Sequence, residues 1–374
     1  MQERTLVSIL IPTFNAGEFL NESIQSCLNQ DYHNIELCIV NDGSTDGSFE
    51  RAATKFNNYK NIKWFSFEKN KGKISALNKA YMLSTGEYIV THAADDVMKI
   101  EKISVMVENI GDNALLMPDS DITDKNLKIQ HKNVLRSYYG RRRYTVVLTA
   151  KNLLLDPRVL GGTIIRRCLA EKIFPLPIDL PHEDWWIPLK CSLHGRAVFL
   201  NQSLTLYRVH GNNTSEIANP LSDSVRKETW AFQRHKSYFS NVLKLGELSA
   251  YPIERRVIKM KYDLIDCFES KNICRVRVRL LFPSLQATIA VNKYYMRYLF
   301  ICVINGWGDG STIHRGVWNS VLKNLAYCLG LEFIRKYAKS AEKAFLDAKE
   351  RYPFGYLLFL SDSRSKLLHY LLGR

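Results

Sequence analysis

Two pairs of adjacent carboxylates carry the chemistry this sequence can support. Asp95 and Asp96 lie just past an apolar, β-type run, Tyr88–Thr91, and Glu183 and Asp184 stand before Trp185, Trp186 and a helical run, Ile187 to Leu193. Adjacent carboxylates at a strand end suit Mg2+ or Mn2+, which prefer oxygen ligands and share them with substrate phosphates. They equally suit the cap of a helix spanning Asp96–Val107. Glu183 and Asp184 can supply a general base, which must come within ~3 Å of the proton it takes. An acid at a helix N-terminus is also a common capping arrangement. The two tryptophans favour the functional reading, because flat aromatic faces suit sugar rings.

Three further features could serve the same site. Asp42, inside NDGSTDGS, ends a buried strand, where its carboxylate can accept a hydrogen bond from a base N–H; Asp there also favours an N-cap or Asx-turn. His210, in YRVHGNNTS, follows a strand at Ser203–Tyr207 and precedes a polar turn, within reach of a metal-diphosphate. Arg141–Arg143 could neutralise a phosphate, or form a solvated loop.

Strands alternating with helices must position these groups. Leu6–Pro12 is short and rich in Val, Ile and Leu, as for a parallel strand buried on both faces. Residues from Phe19 to Leu28 follow helical spacing, Ile35–Val40 is a second strand, and Phe49 to Tyr59 a second helix. Ile62–Phe67 is a third strand, Lys69–Lys73 a glycine-bearing loop, Ile74 to Leu83 a third helix, and Tyr88–Thr91 a fourth strand. This alternation predicts an α/β fold with a doubly wound, mostly parallel sheet, whose ligand site lies past the carboxyl ends of its strands. A Rossmann site is disfavoured, because no G-x-G-x-x-G follows the first strand.

The chain of 374 residues is long enough for one large or two moderate domains. Its eight cysteines stand singly with no C-x-x-C pair, as expected of reduced core residues. We expect a cytoplasmic protein, peripheral at most on the inner face of the plasma membrane: no signal peptide precedes the first strand, and no apolar run reaches ~18 residues. The net charge of +15 is uneven, with 26 basic against 24 acidic residues in 1–219 and 26 against 13 in 220–374. A boundary falls near 212–225, giving a catalytic domain at 1–218 and a basic, mainly helical region at 219–374. Trp318 to Leu329 and Leu357 to Leu372 supply helix faces there. That region suits contact with an anionic membrane surface, where each Lys or Arg adds ~1 kcal/mol, or homo-oligomerisation. Its basic residues are dispersed and no nucleic-acid motif is present, so no nucleic-acid partner is expected.

Seven segments in order resemble the family 2 glycosyltransferases, inverting enzymes with a GT-A fold. They are VSILIPTFNAGEFLNESIQSCLNQDY, IVNDGSTDGS, NKGKISALNKAYMLSTGEYI, AADD, GGTIIRR, HEDWW and LYRVHGNNTS, within roughly residues 5–216. The resemblance implies that Pro12, Thr13, Asn15, Asp42, Gly72, Asn78, Ala94 and Asp95 bind a nucleotide-sugar donor, a UDP-sugar by family habit. It implies that Asp95, Asp96 and His210 hold Mn2+ or Mg2+, and that Asp184 is the catalytic base with Glu183 beside it. Trp185, Trp186 and Gly162 would meet the acceptor, a glycan or lipid-linked oligosaccharide of capsule, O-antigen or related polysaccharide synthesis. One departure is that the family's Asp-x-Asp-Asp reads Ala93-Ala94-Asp95-Asp96 here, so the first carboxylate is missing. Two other readings compete: a catalytically inactive sugar-nucleotide- or glycan-binding protein, and a nucleotidyltransferase on a related sheet.

Overall fold

Val7–Thr13 (β1) and Ile35–Asn41 (β2) are buried along their whole length, because apolar side chains on both faces of each strand meet helices above and below the sheet. They pair in parallel, Val7 opposite Ile35 and Thr13 opposite Asn41. The computed structural model describes residues 5–136, 144–155, 162–211, 213 and 235–269. The described part up to Asp266 belongs to one compact unit, so 235–266 is packed with the first two hundred residues. Arg141–Arg143 and the helix faces expected at Trp318–Leu329 and Leu357–Leu372 lie outside the described residues.

The first half alternates as expected. Phe19–Leu28 (α1) follows β1, Ser48–Lys55 (α2) follows β2, Ile62–Ser66 (β3) leads to Lys73–Leu83 (α3), and Tyr88–Thr91 (β4) comes next. These strands lie in the order β3-β2-β1-β4, all parallel. The chain leaves β1 through α1 to β2 on one side and returns from β3 through α3 to β4 on the other, a switch point that opens a crevice beyond the carboxyl end of β1.

The second half widens the sheet. Val97–Met98 (β5), Lys102–Ile110 (α4), Leu115–Thr123 (β6), Ile129–His131 (β7), Thr145–Leu148 (β8), Ala150–Leu155 (α5), Ile164–Arg166 (β9), Arg167–Ile173 (α6), Glu183–His194 (α7) and Ala197–Arg208 (β10) follow, with Pro252–Glu269 (α8) last. Among the described residues the sheet has ten strands, β4 continuing to β9, β6, β10 and β5, with β7 on β6 and β8 on β10. Strand β9 runs antiparallel to both β4 and β6, so β6 and β10 point the same way as β1–β4. The carboxyl end of β10 therefore arrives at the same edge as those of β1, β2 and β4.

One helix starts later than the sequence pattern predicts. Residues 97–98 pair antiparallel with Leu206 and Thr205, so the helix expected from Asp96 begins only at Lys102. Met98 also donates its amide to the Ser26 hydroxyl at 3.0 Å, which holds the segment extended.

The core gathers Ile9, Ile11, Leu37 and Ile39 with Leu20, Ile24, Ile103 and Met106 from the flanking helices and Phe56 just past α2. Each such side chain contributes about 1.5–3 kcal/mol on burial. At the far edge, Glu36 is buried, accepts from the Ser8 hydroxyl at 2.6 Å and pairs with Lys63 at 2.6 Å.

Candidate functional site

Turns at the ends of β1 and β2 lock to each other. Asn15 accepts from the Thr45 amide at 2.8 Å and its own amide donates to the Ser44 hydroxyl at 2.9 Å, while Gly17 donates to Asp46 at 2.9 Å. Asp42 is buried and both of its oxygens are engaged, accepting from the amides of Lys71 at 2.7 Å and Gly72 at 2.9 Å. Burial pushes its carboxyl above the ordinary value, against those two donors. Asp42 thus fastens the loop that launches α3, the turn-forming role that its residue type also allows; each oxygen keeps a lone pair for a further donor. Gly43 permits the close approach: its φ is +71° and an added Cβ would stand 2.7 Å from the backbone of Lys69 and Asn70. Pro12 is buried on β1, and the Thr13 hydroxyl is buried without a hydrogen-bond partner among the described residues.

The acidic pair after β4 is held by the end of β10. Asp96 is 3% exposed and accepts from the Arg208 backbone amide at 2.9 Å. Burial, then the neighbouring Asp95, raises its carboxyl well above the usual range. Asp95 faces His210, its Oδ2 lying 3.0 Å from Nε2. Arg208 is 2% exposed and braces the group: Nε donates to the Asp95 carbonyl at 2.9 Å, Nη1 to the Lys125 carbonyl at 2.8 Å, and Nη2 pairs with Glu22. Its guanidinium and the His210 ring both lie against Phe19, at 4.5 Å and 4.8 Å. Ala94 packs into the core.

Of the three metal ligands implied by the sequence, two meet and the third turns inward. Asp95 at the sheet edge offers the oxygen that Mn2+ or Mg2+ prefers, with the His210 nitrogen beside it, and such ions keep other positions for water and phosphate. Among the described residues, no three His, Cys, Asp or Glu side chains are grouped to hold an ion.

Across the crevice, Glu183 and Asp184 occupy the first turn of α7, with His182 as N-cap residue and no side-chain cap. Glu183 is buried and forms an ion pair with Lys73, the first residue of α3. The Lys73 side chain is 46% exposed, so the desolvation that would lower its pKa is limited, and Glu183, with Asp184 and Asp95, holds it above the ordinary lysine value. Lys73 thus feels the carboxylates of both acidic clusters. Burial and the Glu183 charge raise Asp184 to about 7, against the opposing pull of Lys73.

The remaining site residues have other tasks. Asn78 brackets the backbone of Leu176, donating to its carbonyl at 2.9 Å and accepting from its amide at 2.8 Å. Its amide therefore pins the loop before α7; the family resemblance implied donor binding for it. Trp186 is 5% exposed and offers no open face to a sugar. Trp185 is partly exposed and packs against His182, His235 and Tyr238. Gly162 has φ +82°, and an added Cβ would lie 2.1 Å from the Thr91 carbonyl oxygen. Only glycine lets this segment lie against the end of β4, where Thr91 and Thr163 exchange hydrogen bonds at 3.1 Å.

Sequence reasoning did not single out Lys73 or Arg208. The signal for Lys73 was its place directly after Gly72, at a helix start facing the crevice. For Arg208 it was a cation at the end of a buried strand, two residues before His210.

This arrangement, with its crevice at the strand ends, is the GT-A arrangement of sugar-nucleotide transferases. Its structural relatives include S. aureus TarS residues 1–349, with a TM-score of 0.51 at 15% identity, over 88% of this chain and 93% of that one. The same TarS fragment is known in complex with UDP-GlcNAc. The mannosyltransferase PcManGT from Pyrobaculum calidifontis, in complex with GDP-Man and Mn2+, gives a TM-score of 0.53 at 16% identity, over 90% and 84% of the two chains. At such identities these are likenesses of fold. In sequence, residues 8–174 match the model of Glycosyl transferase family 2. An uncharacterized glycosyltransferase of Haemophilus influenzae is 38% identical over 62% of this chain and 89% of its own length. One from Nostoc sp. is 30% identical over 63% and 75%. The chain belongs to glycosyltransferase family 2.

Proposed function

We propose that this glycosyltransferase is an inverting, metal-dependent enzyme that moves a sugar from a nucleotide-sugar to a hydroxyl of a glycan or lipid-linked acceptor. The observation that carries this reading is the pair of acidic clusters: Asp95 with His210 3.0 Å from it at the strand ends, and Glu183 with Asp184 in the first turn of α7, where Glu183 pairs with Lys73 from α3. A carboxylate suited to proton transfer and a carboxylate–histidine pair suited to a cation thus share one neighbourhood.

In this reading Asp184 takes the proton of the acceptor hydroxyl. The freed oxygen attacks the anomeric carbon from the face opposite the nucleotide, and the bond to the leaving diphosphate breaks with inversion. A proton acceptor at about 7 is matched to neutral pH. Asp95 and His210 would hold Mn2+ or Mg2+, with Asp96 stiffening the loop behind them. Bound there, the ion would offset charge growing on the diphosphate. Pro12, Thr13, Asn15 and the Asp42–Gly72 junction would line the nucleotide side, and Trp185 with Gly162 the acceptor side. A UDP donor is favoured by family habit and by the UDP-GlcNAc bound to TarS; the GDP-Man of the mannosyltransferase keeps GDP-sugars in the test.

A role in capsule or O-antigen assembly, a catalytic domain at 1–218 and a membrane-facing or oligomerising C-terminal region at 219–374 complete the proposal. Among the described residues no helix is long and apolar enough to cross a membrane.

The test is a donor panel. UDP-, GDP- and dTDP-sugars are each mixed with the protein, with Mn2+ or EDTA, and released nucleotide is followed. Release from one donor class that EDTA abolishes supports the reading. Neither release nor nucleotide binding with any donor would overturn it and favour a relic binding site with its lost acid at Ala93.

A further inference from the structure

The helix that carries the base starts without a cap of its own. His182 is the N-cap residue of α7 and makes no side-chain capping bond, and the turn that follows it holds Glu183 and Asp184. The loop before it has little packing at its centre: Leu176 and Leu180 are buried, but Ile178 between them is 78% exposed. Hydrogen bonds and ring contacts hold this stretch instead. From α3, Asn78 brackets Leu176 and Lys73 pairs with Glu183. The second hold comes from a helix at 235–243, which lies beyond the family-matched residues 8–174 and packs in the same compact unit. Asn241 is buried there. Its amide nitrogen donates at 3.0 Å to both carboxylate oxygens of Asp179 and at 3.0 Å to the Ser237 carbonyl, so both of its hydrogens are engaged. The Ser237 hydroxyl donates to Asp179 Oδ2 at 2.9 Å. Past the base, the Trp185 ring lies 4.8 Å from that of His235 and 5.4 Å from that of Tyr238. His235, Tyr238, Phe239 and Val242 are buried, so the helix is itself firmly seated.

We propose that the helix at 235–243 is a positioning element for the catalytic base: it holds the chain on both sides of Asp184, through Asp179 before it and Trp185 directly after, with Asn241 as the positioning residue. This role rests on the reading of Asp184 as base. Hydrogen bonds to a carboxylate are among the stronger ones, and those from Asn241 and Ser237 converge on the exposed centre of the loop. A displacement of about 1 Å at a catalytic group can cost a hundredfold in rate, even when its cause lies away from the chemistry. The donor side is held separately: Asn15 accepts from Thr45, and Asp42 from Lys71 and Gly72. Loosening the hold on Asp179 therefore lowers turnover and leaves donor binding in place. This stretch of the C-terminal region thus has a task inside the enzyme.

The experiment measures nucleotide release and backbone hydrogen exchange in the full-length protein for Asp179→Ala and Asn241→Ala, with Glu247→Gln as control. Glu247 ties the turn after this helix to Lys190 at 2.7 Å, beyond the first turn of α7. In both clamp variants kcat with the donor selected by the panel should fall at least about tenfold. Donor KM and the thermal stabilisation by UDP with Mn2+ should stay within about twofold of wild type, and amides of residues 177–186 should exchange faster. Glu247→Gln should change neither kcat nor that exchange. Unchanged exchange at 177–186, or faster exchange with wild-type kcat, overturns the proposal. A fall in kcat matched by a rise in donor KM and a general loss of protection marks a merely structural role and overturns it too. If Asp179→Ala does not fold, Asn241→Ala decides alone on the same criteria. Wild-type kcat in Asp184→Asn would instead remove the base reading, and the positioning role with it, even where the clamp variants free the loop.

Discussion

Arg208 gives the sharpest prediction about the architecture of the site. Replacing it with Met keeps most of the volume and the packing on Phe19, and removes a guanidinium that is 2% exposed. Two carbonyl oxygens, of Asp95 and Lys125, lose donors at 2.9 Å and 2.8 Å. The Asp95 carbonyl, on a partly buried residue, is left without that donor at a cost of about 1–3 kcal/mol, whereas Lys125 is exposed and its carbonyl returns to water. The Glu22 carboxylate is 53% exposed and returns to water, so that ion pair adds little. Relief from burying the guanidinium offsets part of the loss, leaving a destabilisation of about 2 kcal/mol. For a unit of this size that lowers the melting temperature by about 4–8 °C. The backbone hydrogen bond from Arg208 to Asp96 survives, but the Asp95 carbonyl is no longer tethered. The stabilisation that UDP with Mn2+ gives in a thermal melt should therefore shrink as well. A melting temperature within about 2 °C of wild type, with an unchanged response to UDP and Mn2+, would refute the view that Arg208 braces the acidic loop.

Two other perturbations probe the scaffold. Glu36 is held at about 2: burial pushes its carboxyl up, but Lys63, Ser8 and Thr85 pull it down further. Because this folded-state value lies below the unfolded one, the stabilisation is present above about pH 4.5 and is lost as pH falls toward 2. Glu36→Gln should cost about 2 kcal/mol at pH 7, after discounting for the partly exposed Lys63, and much less at pH 3; equal urea midpoint shifts at both would contradict this. Gly162→Ala must move backbone, since its Cβ would stand 2.1 Å from the Thr91 oxygen at a φ of +82°. It should lose at least about 2 kcal/mol in urea unfolding and weaken nucleotide binding, and a variant as stable as wild type would show that this close approach is not needed.

Much of the fold was legible because its signals are local. Val7–Thr13 and Ile35–Asn41 are apolar on both faces, and turn residues such as Asn15, Asp42 and Gly43 mark their ends. The start of α4 was missed because the extended pair Val97–Met98 is held by Thr205 and Leu206, more than a hundred residues away. The same limit applied to the site. Asp95, Asp184 and His210 stood out by type and position, whereas Lys73 matters only because α7 brings Glu183 to it, and Arg208 only because β10 ends beside Asp95. Asn78 shows the converse: its motif was visible, but its hydrogen bonds to Leu176, nearly a hundred residues further on, could not be read from spacing.

The account stands or falls on Asp184. Nucleotide release from the best donor should be measured for wild type and Asp184→Asn side by side, with nucleotide binding determined on the same preparations. Loss of at least about a hundredfold in release, with binding retained, is the predicted result, since a positioned base contributes 10²–10⁴. Wild-type release by Asp184→Asn would contradict the account.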